Sequence, residues 1–135
     1  MKLAFCSSAS THGLPSKIAY QALQILEILP GVSIRKVLDK NWPQNIIQNN
    51  HHCLIGNAGK LSEDKSTSHF PLLSKHTGIA YQDMIFFDDS NWTNHCKLVR
   101  ERCGVVTVRT PDGCQVEEWE RGIEEWRKSR GGVKN

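Results

Sequence analysis

The stretch Met84-Ile85-Phe86-Phe87-Asp88-Asp89 decides the fold, because four apolar residues run directly into two carboxylates. Four residues are too few for a helix, and apolar side chains on both faces are typical of a strand inside a parallel sheet. Adjacent like charges raise one another's pKa unless a cation neutralises them. Mg²⁺ suits this pair, since one or two carboxylates, a phosphate and water complete its ligands. The alternative is structural: Asp88 caps the next helix and Asp89 is solvated.

Strands and helices alternate on both sides of this stretch, which predicts an α/β fold with a mainly parallel sheet. Ligands of such sheets bind at the carboxyl ends of strands, and this directs attention to Ser7-Ser8 as well as to Asp88-Asp89. The first part of the chain predicts a strand at 3–6 and a helix from 16 to 29 that is stopped by Pro30-Gly31. The poorly patterned segment at 30–62 follows, in which 32–38 and 53–55 form short strands or turns. The rest predicts a helix at 66–77 stopped by Gly78, a strand at 84–87, a helix capped by Asn91 or Thr93 that ends at Arg102, a strand at 105–108, a turn at 111–113 and a helix with Val116, Trp119, Ile123 and Trp126 on its inner face.

The composition excludes several classes of protein. Of 135 residues, 39% are hydrophobic and 23% charged, as in an ordinary folded globule rather than a low-complexity or disordered chain. No apolar run reaches the roughly 18 residues of a membrane span. A net charge of +3 is too mild to indicate nucleic acid binding. One domain is expected over residues 1–129, with a frayed tail at 130–135.

The five cysteines favour free thiols in a reducing compartment, and we therefore expect a cytoplasmic protein. A cluster of metal-ligand residue types offers a different interpretation. His51, His52 and Cys53, with His95 or Cys96, would form a zinc site, because imidazole and thiolate bind zinc. Adjacent ligands lack the spacing of such sites, so histidines on the surface of a polar loop are the favoured interpretation.

Hydroxyl and cationic side chains in the first half of the chain indicate a phosphate site. Ser7 and Ser8 follow the first predicted strand, where hydroxyls and backbone N–H groups bind phosphate oxygens. Lys65, near the start of the 66–77 helix, adds positive charge for the same anion. Serine-rich loops and single lysines are common in proteins. The order of these residues along the chain therefore carries the prediction, not any one of them.

That order, a strand ending in Ser, then Lys with a following His-Phe, then Phe-Phe-Asp-Asp, resembles motifs II, III and IV of the haloacid dehalogenase superfamily. The likeness is strongest to the magnesium-dependent phosphatase-1 branch. The resemblance implies a Rossmannoid parallel sheet with helices on both faces. The residues that carry it are Leu3–Ser7, Asp64-Lys65 with His69-Phe70, Lys75–Ile79, Met84–Asp89 with Asn91, and Gly104-Val105.

The resemblance also implies a role for each matching residue. Ser7 hydrogen-bonds the phosphoryl group, and Ser8 stands where the family often has an Arg, which weakens that contact. Lys65, the catalytic cation, balances charge on the phosphoryl oxygens, and Asp88 and Asp89 hold Mg²⁺, with Asp89 as the preferred direct ligand. The implied substrates are phosphomonoesters of the phosphotyrosine or phosphosugar class, on small molecules or on a phosphoprotein.

The family's nucleophile and acid–base pair is missing. Both are aspartates of a D-x-D motif at the end of the family's first strand, and no D-x-D occurs in these 135 residues. We therefore expect an N-terminally incomplete chain, without its first strand and without turnover of its own. Either the chain is a fragment, or the strands at 3–6 and 84–87 pair directly, or another chain donates a strand. The alternative function is a non-catalytic domain that binds phosphate or a partner.

Overall fold

The structure is a computed structural model, and it describes residues 1–8, 14–55, 62–91 and 93–131. Helices and parallel strands occur along these residues, which confirms the predicted α/β class. The chain divides into two compact units, residues 1–78 and residues 79–135. The described strands are β1 Phe5–Ser7, β2 Glu27–Leu29, β3 Val32–Ser33, β4 Cys53–Ile55, β5 Ile85–Asp88 and β6 Val106–Arg109. The described helices are α1 Leu14–Ile25, α2 Ile34–Asp39, α3 Gln44–Gln48, α4 His69–Thr77, α5 His95–Cys103 and α6 Val116–Gly131.

Strands β1 and β4 form the parallel pair of the first unit. The strand predicted over Leu3–Cys6 begins two residues later, at Phe5, and ends one residue later, at Ser7. Ser7 pairs with Ile55 of β4. The hydrophobic core of this unit consists of Leu23, Leu38, Cys53 and Ile55. Packing of α1 and α2 against β4 therefore fixes the strand that holds the end of β1 in place.

Helix α1 ends at Ile25, four residues before the predicted end at residue 29. The chain then forms a hairpin of β2 and β3, and Ile34 donates its backbone N–H to the Leu26 carbonyl at 2.9 Å. Gly31 takes a left-handed φ of +76° at the turn, and its N–H donates to the Glu27 carboxylate. The apolar side chains at positions 25, 26, 28 and 29 are consequently exposed, and do not extend the buried face of the helix.

The segment between the hairpin and β4 is organised around Asp39, the last residue of α2. Its Oδ1 atom accepts hydrogen bonds from Arg35 Nε at 2.8 Å and from His52 Nε2 at 2.7 Å. His52 is fully buried, so the expectation of a surface histidine in a polar loop is wrong for this residue. Burial raises the pKa of the neighbouring Cys53 thiol to about 11, with a smaller contribution from Asp39 and opposition from Arg35.

Strands β5 and β6 form the parallel pair of the second unit, from Ile85 opposite Val106 to Asp88 opposite Arg109. Each begins and ends one residue later than its apolar run predicts. Asp88 is therefore part of the strand ladder, and its carbonyl accepts a hydrogen bond from the backbone N–H of Thr110 at 3.0 Å. The acidic pair thus stands at the carboxyl end of a parallel strand, as the sequence predicts.

Local signals at helix ends are only partly as predicted. Gly78 and Gly104 end α4 and α5 with left-handed φ angles of +70° and +71°. The N-cap of α5 is Asn94, whose side chain accepts the backbone N–H of Lys97 at 2.9 Å. The prediction that Asn91 or Thr93 caps this helix is wrong, because the helix begins at residue 95.

Helix α6 packs on β5 through an aromatic contact, with the rings of Trp119 and Phe87 stacked at 5.4 Å between centroids. Trp126 donates its indole N–H to the Gln82 carbonyl at 3.0 Å. Val116 is 66% exposed, so the inner face begins at Trp119. The helix includes residues 130 and 131, while residues 132–135 of the expected tail lie outside the described residues. No described helix is long and apolar enough to cross a membrane.

Candidate functional site

The end of β1 is hydrogen-bonded to the segment that carries Lys65, which we call the Lys65 loop (residues 62–69, including the first residue of α4). The Ser8 hydroxyl donates to the Glu63 carbonyl at 3.2 Å. One residue earlier, the Ser7 carbonyl accepts a hydrogen bond from His69 Nε2 at 3.1 Å. These two contacts span 55 and 62 residues of sequence. The structure thus brings the two predicted serines to the loop of the predicted lysine.

The Lys65 loop is a compact turn around Asp64, and for this reason α4 begins at residue 69 and not at the predicted residue 66. The Asp64 carboxylate accepts both the backbone N–H and the hydroxyl of Ser66, at 2.9 and 2.5 Å. The Asp64 carbonyl accepts the hydroxyls of Thr67 and Ser68, at 3.0 and 3.2 Å. Side chains that bond a neighbouring backbone in this way compete with helix formation.

Lys65 itself is 6% exposed, and its carbonyl accepts the backbone N–H of Phe70 at 3.0 Å. The loop therefore fixes the backbone from which this lysine extends, immediately before the first turn of α4. A cation in a largely desolvated position interacts more strongly with an anion than a surface lysine does, because the local dielectric is lower. The residues predicted to bind phosphate in the first unit thus lie on two segments joined by hydrogen bonds.

The acidic pair lies at the end of β5 in the second unit. Asp88 is buried, and its Oδ1 atom accepts the backbone N–H of Ser90 at 3.1 Å. Asp89 is exposed. Arg109, at the end of the paired strand β6, donates to the Ser90 carbonyl at 3.4 Å. Sequence reasoning gave Arg109 no role, although its position at the carboxyl end of a parallel strand was a usable signal.

The donor set at this strand end fits Mg²⁺ in its chemistry. Both side chains are carboxylates: Asp88 is buried and accepts the hydrogen bond from Ser90, and Asp89 is exposed. Mg²⁺ prefers oxygen ligands and commonly uses one or two protein carboxylates together with phosphate and water. No group of three or more His, Cys, Asp or Glu side chains that could hold a metal occurs among the described residues, so the zinc interpretation gains no support.

A comparison with protein families identifies the relationship. A family model described as acid phosphatase matches residues 1–129. The chain belongs to the acid phosphatase family. The match covers residues of both compact units. Searches of curated proteins and of solved structures gave no significant match.

Membership of the acid phosphatase family supports a phosphatase function in general terms. Within the first unit, Ser7, Ser8 and the Lys65 loop are connected by hydrogen bonds. Within the second unit, Asp88 and Asp89 stand together at a strand end. That all of these residues surround one magnesium-bound anion stays a prediction.

Proposed function

We propose that this member of the acid phosphatase family is a Mg²⁺-dependent, haloacid dehalogenase-type protein of the magnesium-dependent phosphatase-1 branch that binds phosphomonoesters. The observation that supports this most strongly is the pair of hydrogen bonds between the end of β1 and the Lys65 loop. Two segments more than fifty residues apart are held together there, and both carry groups that bind anions. The sequence order of the motifs and the family match support the same proposal.

In the proposed site, the Ser7 hydroxyl and the Ser8 backbone N–H donate hydrogen bonds to the phosphoryl oxygens. Lys65 balances their negative charge, since a fixed cation in a poorly solvated position stabilises an anion. Asp88 and Asp89 would hold Mg²⁺, with exposed Asp89 as the direct ligand. Bound Mg²⁺ would neutralise the acidic pair and polarise the phosphoryl group.

We further propose that these 135 residues bind phosphate without hydrolysing its esters. The six aspartates are at positions 39, 64, 83, 88, 89 and 112, and no two of them form a D-x-D pair. Asp39, the one aspartate before the Lys65 loop, already accepts hydrogen bonds from Arg35 and His52. An in-line attack on phosphorus requires an available nucleophile, and the two carboxylates of the proposed site, Asp88 and Asp89, are assigned to Mg²⁺.

Isothermal titration calorimetry with Mg²⁺, and then with orthophosphate in the presence of Mg²⁺, tests this function together with a p-nitrophenyl phosphate assay. Wild type is expected to bind both ligands and to show no turnover. Asp89→Asn should weaken Mg²⁺ binding about tenfold or more, because it removes a charged oxygen ligand. Asp112→Asn, an exposed carboxylate in the turn after β6, is the matched control and should bind normally. Absence of binding to wild type would overturn the site, and Mg²⁺-dependent hydrolysis lost in Asp89→Asn would overturn the lack of turnover.

A second proposal concerns the molecule that carries the phosphoryl group. A chain that binds phosphate without hydrolysis suits a phosphorylated partner, while a catalytic relative suits a small phosphorylated substrate. Titration with a phosphotyrosine peptide and with a sugar phosphate, each against its dephosphorylated form, distinguishes the two. Tighter binding of the peptide supports the partner-binding function, and tighter binding of the sugar phosphate supports the small-substrate class.

A further inference from the structure

His69, the first residue of α4, is fully buried and uses both ring nitrogens. Its Nε2 atom lies 3.1 Å from the Ser7 carbonyl, and its Nδ1 atom lies 3.0 Å from the Ser68 hydroxyl. Burial of a polar ring costs free energy unless its nitrogens are hydrogen-bonded. The ring therefore depends on these two contacts, one of which reaches back to the end of β1.

The hydrogen-bond partners determine where the imidazole proton is. A carbonyl oxygen accepts hydrogen bonds and has no proton to give, so Nε2 must carry the proton toward Ser7. The Ser68 hydroxyl has one proton, and it lies within hydrogen-bond distance of both the Asp64 carbonyl and Nδ1. Whichever of the two accepts that proton, the contact with Ser7 requires a proton on Nε2.

The contact with Ser7 orients a peptide of the candidate phosphate site. The Ser7 C=O and the Ser8 N–H belong to one planar trans peptide and point in opposite directions. Because His69 holds the carbonyl toward α4, the Ser8 N–H is turned away from the imidazole. The Ser8 hydroxyl, bound to the Glu63 carbonyl, restrains the other side of the same peptide. Loop N–H groups held in a fixed direction are good phosphate donors, whereas a free carbonyl at the same place would repel the anion.

We propose that His69 is a positioning residue, which fixes the Ser7–Ser8 peptide so that its N–H, and not its carbonyl, faces the phosphate. This inference rests on the proposed function for the phosphate-binding role of the peptide. The orientation of the Ser7–Ser8 peptide follows from the hydrogen bonds alone and does not depend on that function. His69 touches neither the phosphate nor the metal in this proposal, and acts only through Ser7.

Two variants of matched polarity separate positioning from a general structural role. In His69→Gln the side-chain amide reaches the place of Nε2 and can still donate to Ser7. In His69→Asn the shorter amide reaches only the place of Nδ1. Both variants lose the ring, so both are expected to lose packing. If His69 acts by positioning, His69→Gln should keep the order of the Ser8 amide and the orthophosphate affinity, and His69→Asn should lose both.

The readouts are the ¹⁵N order parameter of the Ser8 amide and its shift during titration with orthophosphate and Mg²⁺. Wild type and His69→Gln should keep an order parameter of about 0.85, and His69→Asn should fall below about 0.6. Orthophosphate affinity should fall about tenfold in His69→Asn, the size of one hydrogen bond, and within about threefold of wild type in His69→Gln. Equal losses in the two variants, or no loss in either, would overturn the inference.

Wild-type protein supplies a measurement that does not depend on whether the variants fold. The ¹⁵N shifts of the His69 ring should report a protonated Nε2, and an unprotonated Nε2 would overturn the inference. A wild type that binds no orthophosphate would overturn the proposed function and the phosphate-binding role of the peptide. The ring shifts and the order parameters would then still decide whether His69 fixes the peptide.

Discussion

Among the described glycines, Gly122 on α6 is the one where an added methyl group would meet the closest neighbours. A Cβ atom at this residue would lie 2.8 Å from Phe87 Cζ, 3.0 Å from Phe87 Cε1 and 3.1 Å from Val108 Cγ2. Carbon atoms prefer separations of about 3.5 to 4.0 Å, so Gly122→Ala forces a neighbour to move by several tenths of an ångström. Phe87 directly precedes the acidic pair, and its movement therefore affects the candidate metal site.

The expected change in stability is the difference between two effects. Ala is a better helix former than Gly by about 1 kcal/mol in a helix interior. Extra volume in a packed core costs about 1 to 3 kcal/mol. We expect the upper part of that range, because the Phe87 ring is stacked on Trp119 and the buried Val108 side chain is β-branched. Gly122→Ala should therefore lower the free energy of unfolding by about 1 to 2 kcal/mol.

Urea denaturation followed by far-UV circular dichroism measures this change, with Gly131→Ala as the matched control. Gly131 is the last residue of α6, and a Cβ there has nothing within 4 Å, so its replacement should be neutral or slightly stabilising. In a Phe87→Leu background, Gly122→Ala should no longer destabilise, because the shorter side chain leaves room for the methyl group. Equal effects of Gly122→Ala with and without Phe87, or stabilisation by Gly122→Ala alone, would refute the reasoning.

Three further changes test the packing of the first unit and the state of the cysteines. Asp39→Ala is expected to lower the free energy of unfolding by about 2 to 3 kcal/mol in urea denaturation, because it removes the carboxylate that pairs with the buried His52 ring. The free energy of unfolding should fall as pH rises from 9 to 11, because the Cys53 thiol has a pKa of about 11 when folded and its ordinary value of 9.0 when unfolded. The contribution of the Cys53 thiol to the free energy of unfolding is complete below pH 9 and is lost as pH rises through 11. It amounts to about 2 to 3 kcal/mol. Iodoacetamide at pH 8 should alkylate exposed Cys114 first and buried Cys53 last, as timed digests and mass spectrometry will measure.

Each of these expectations has a control and a contrary result. Asp112→Ala, in an exposed turn, should leave stability nearly unchanged, and a loss equal to that of Asp39→Ala would show that the pairing with His52 contributes little. Cys53→Ala should flatten the fall in stability between pH 9 and 11. If the fall is unchanged in that variant, another group causes it. Alkylation of Cys53 as fast as Cys114 would contradict its burial.

The sequence alone determined the features that depend on short-range signals. The runs Met84–Phe87 and Val105–Val108 predict β5 and β6 within one residue, because a short run of apolar and β-branched residues needs no distant partner to be recognised. Gly78 stops α4 where expected, since a left-handed residue at a helix end is a local requirement. The order of the motifs was likewise sufficient to predict a phosphatase relationship, which the family match supports.

Only the tertiary structure decided features that depend on partners far away in sequence. Helix periodicity favours continuing α1 to residue 29, but the pairing of β2 with β3 and the hydrogen bond from Ile34 to the Leu26 carbonyl end it at Ile25. The polar sequence around His52 suggests a surface loop, but Asp39, thirteen residues earlier, provides the partner that permits burial. His69 is similar, since its contact with Ser7 closes 62 residues of chain. Periodicity compares residues three or four positions apart, so it contains no information about a hydrogen bond formed across such a distance.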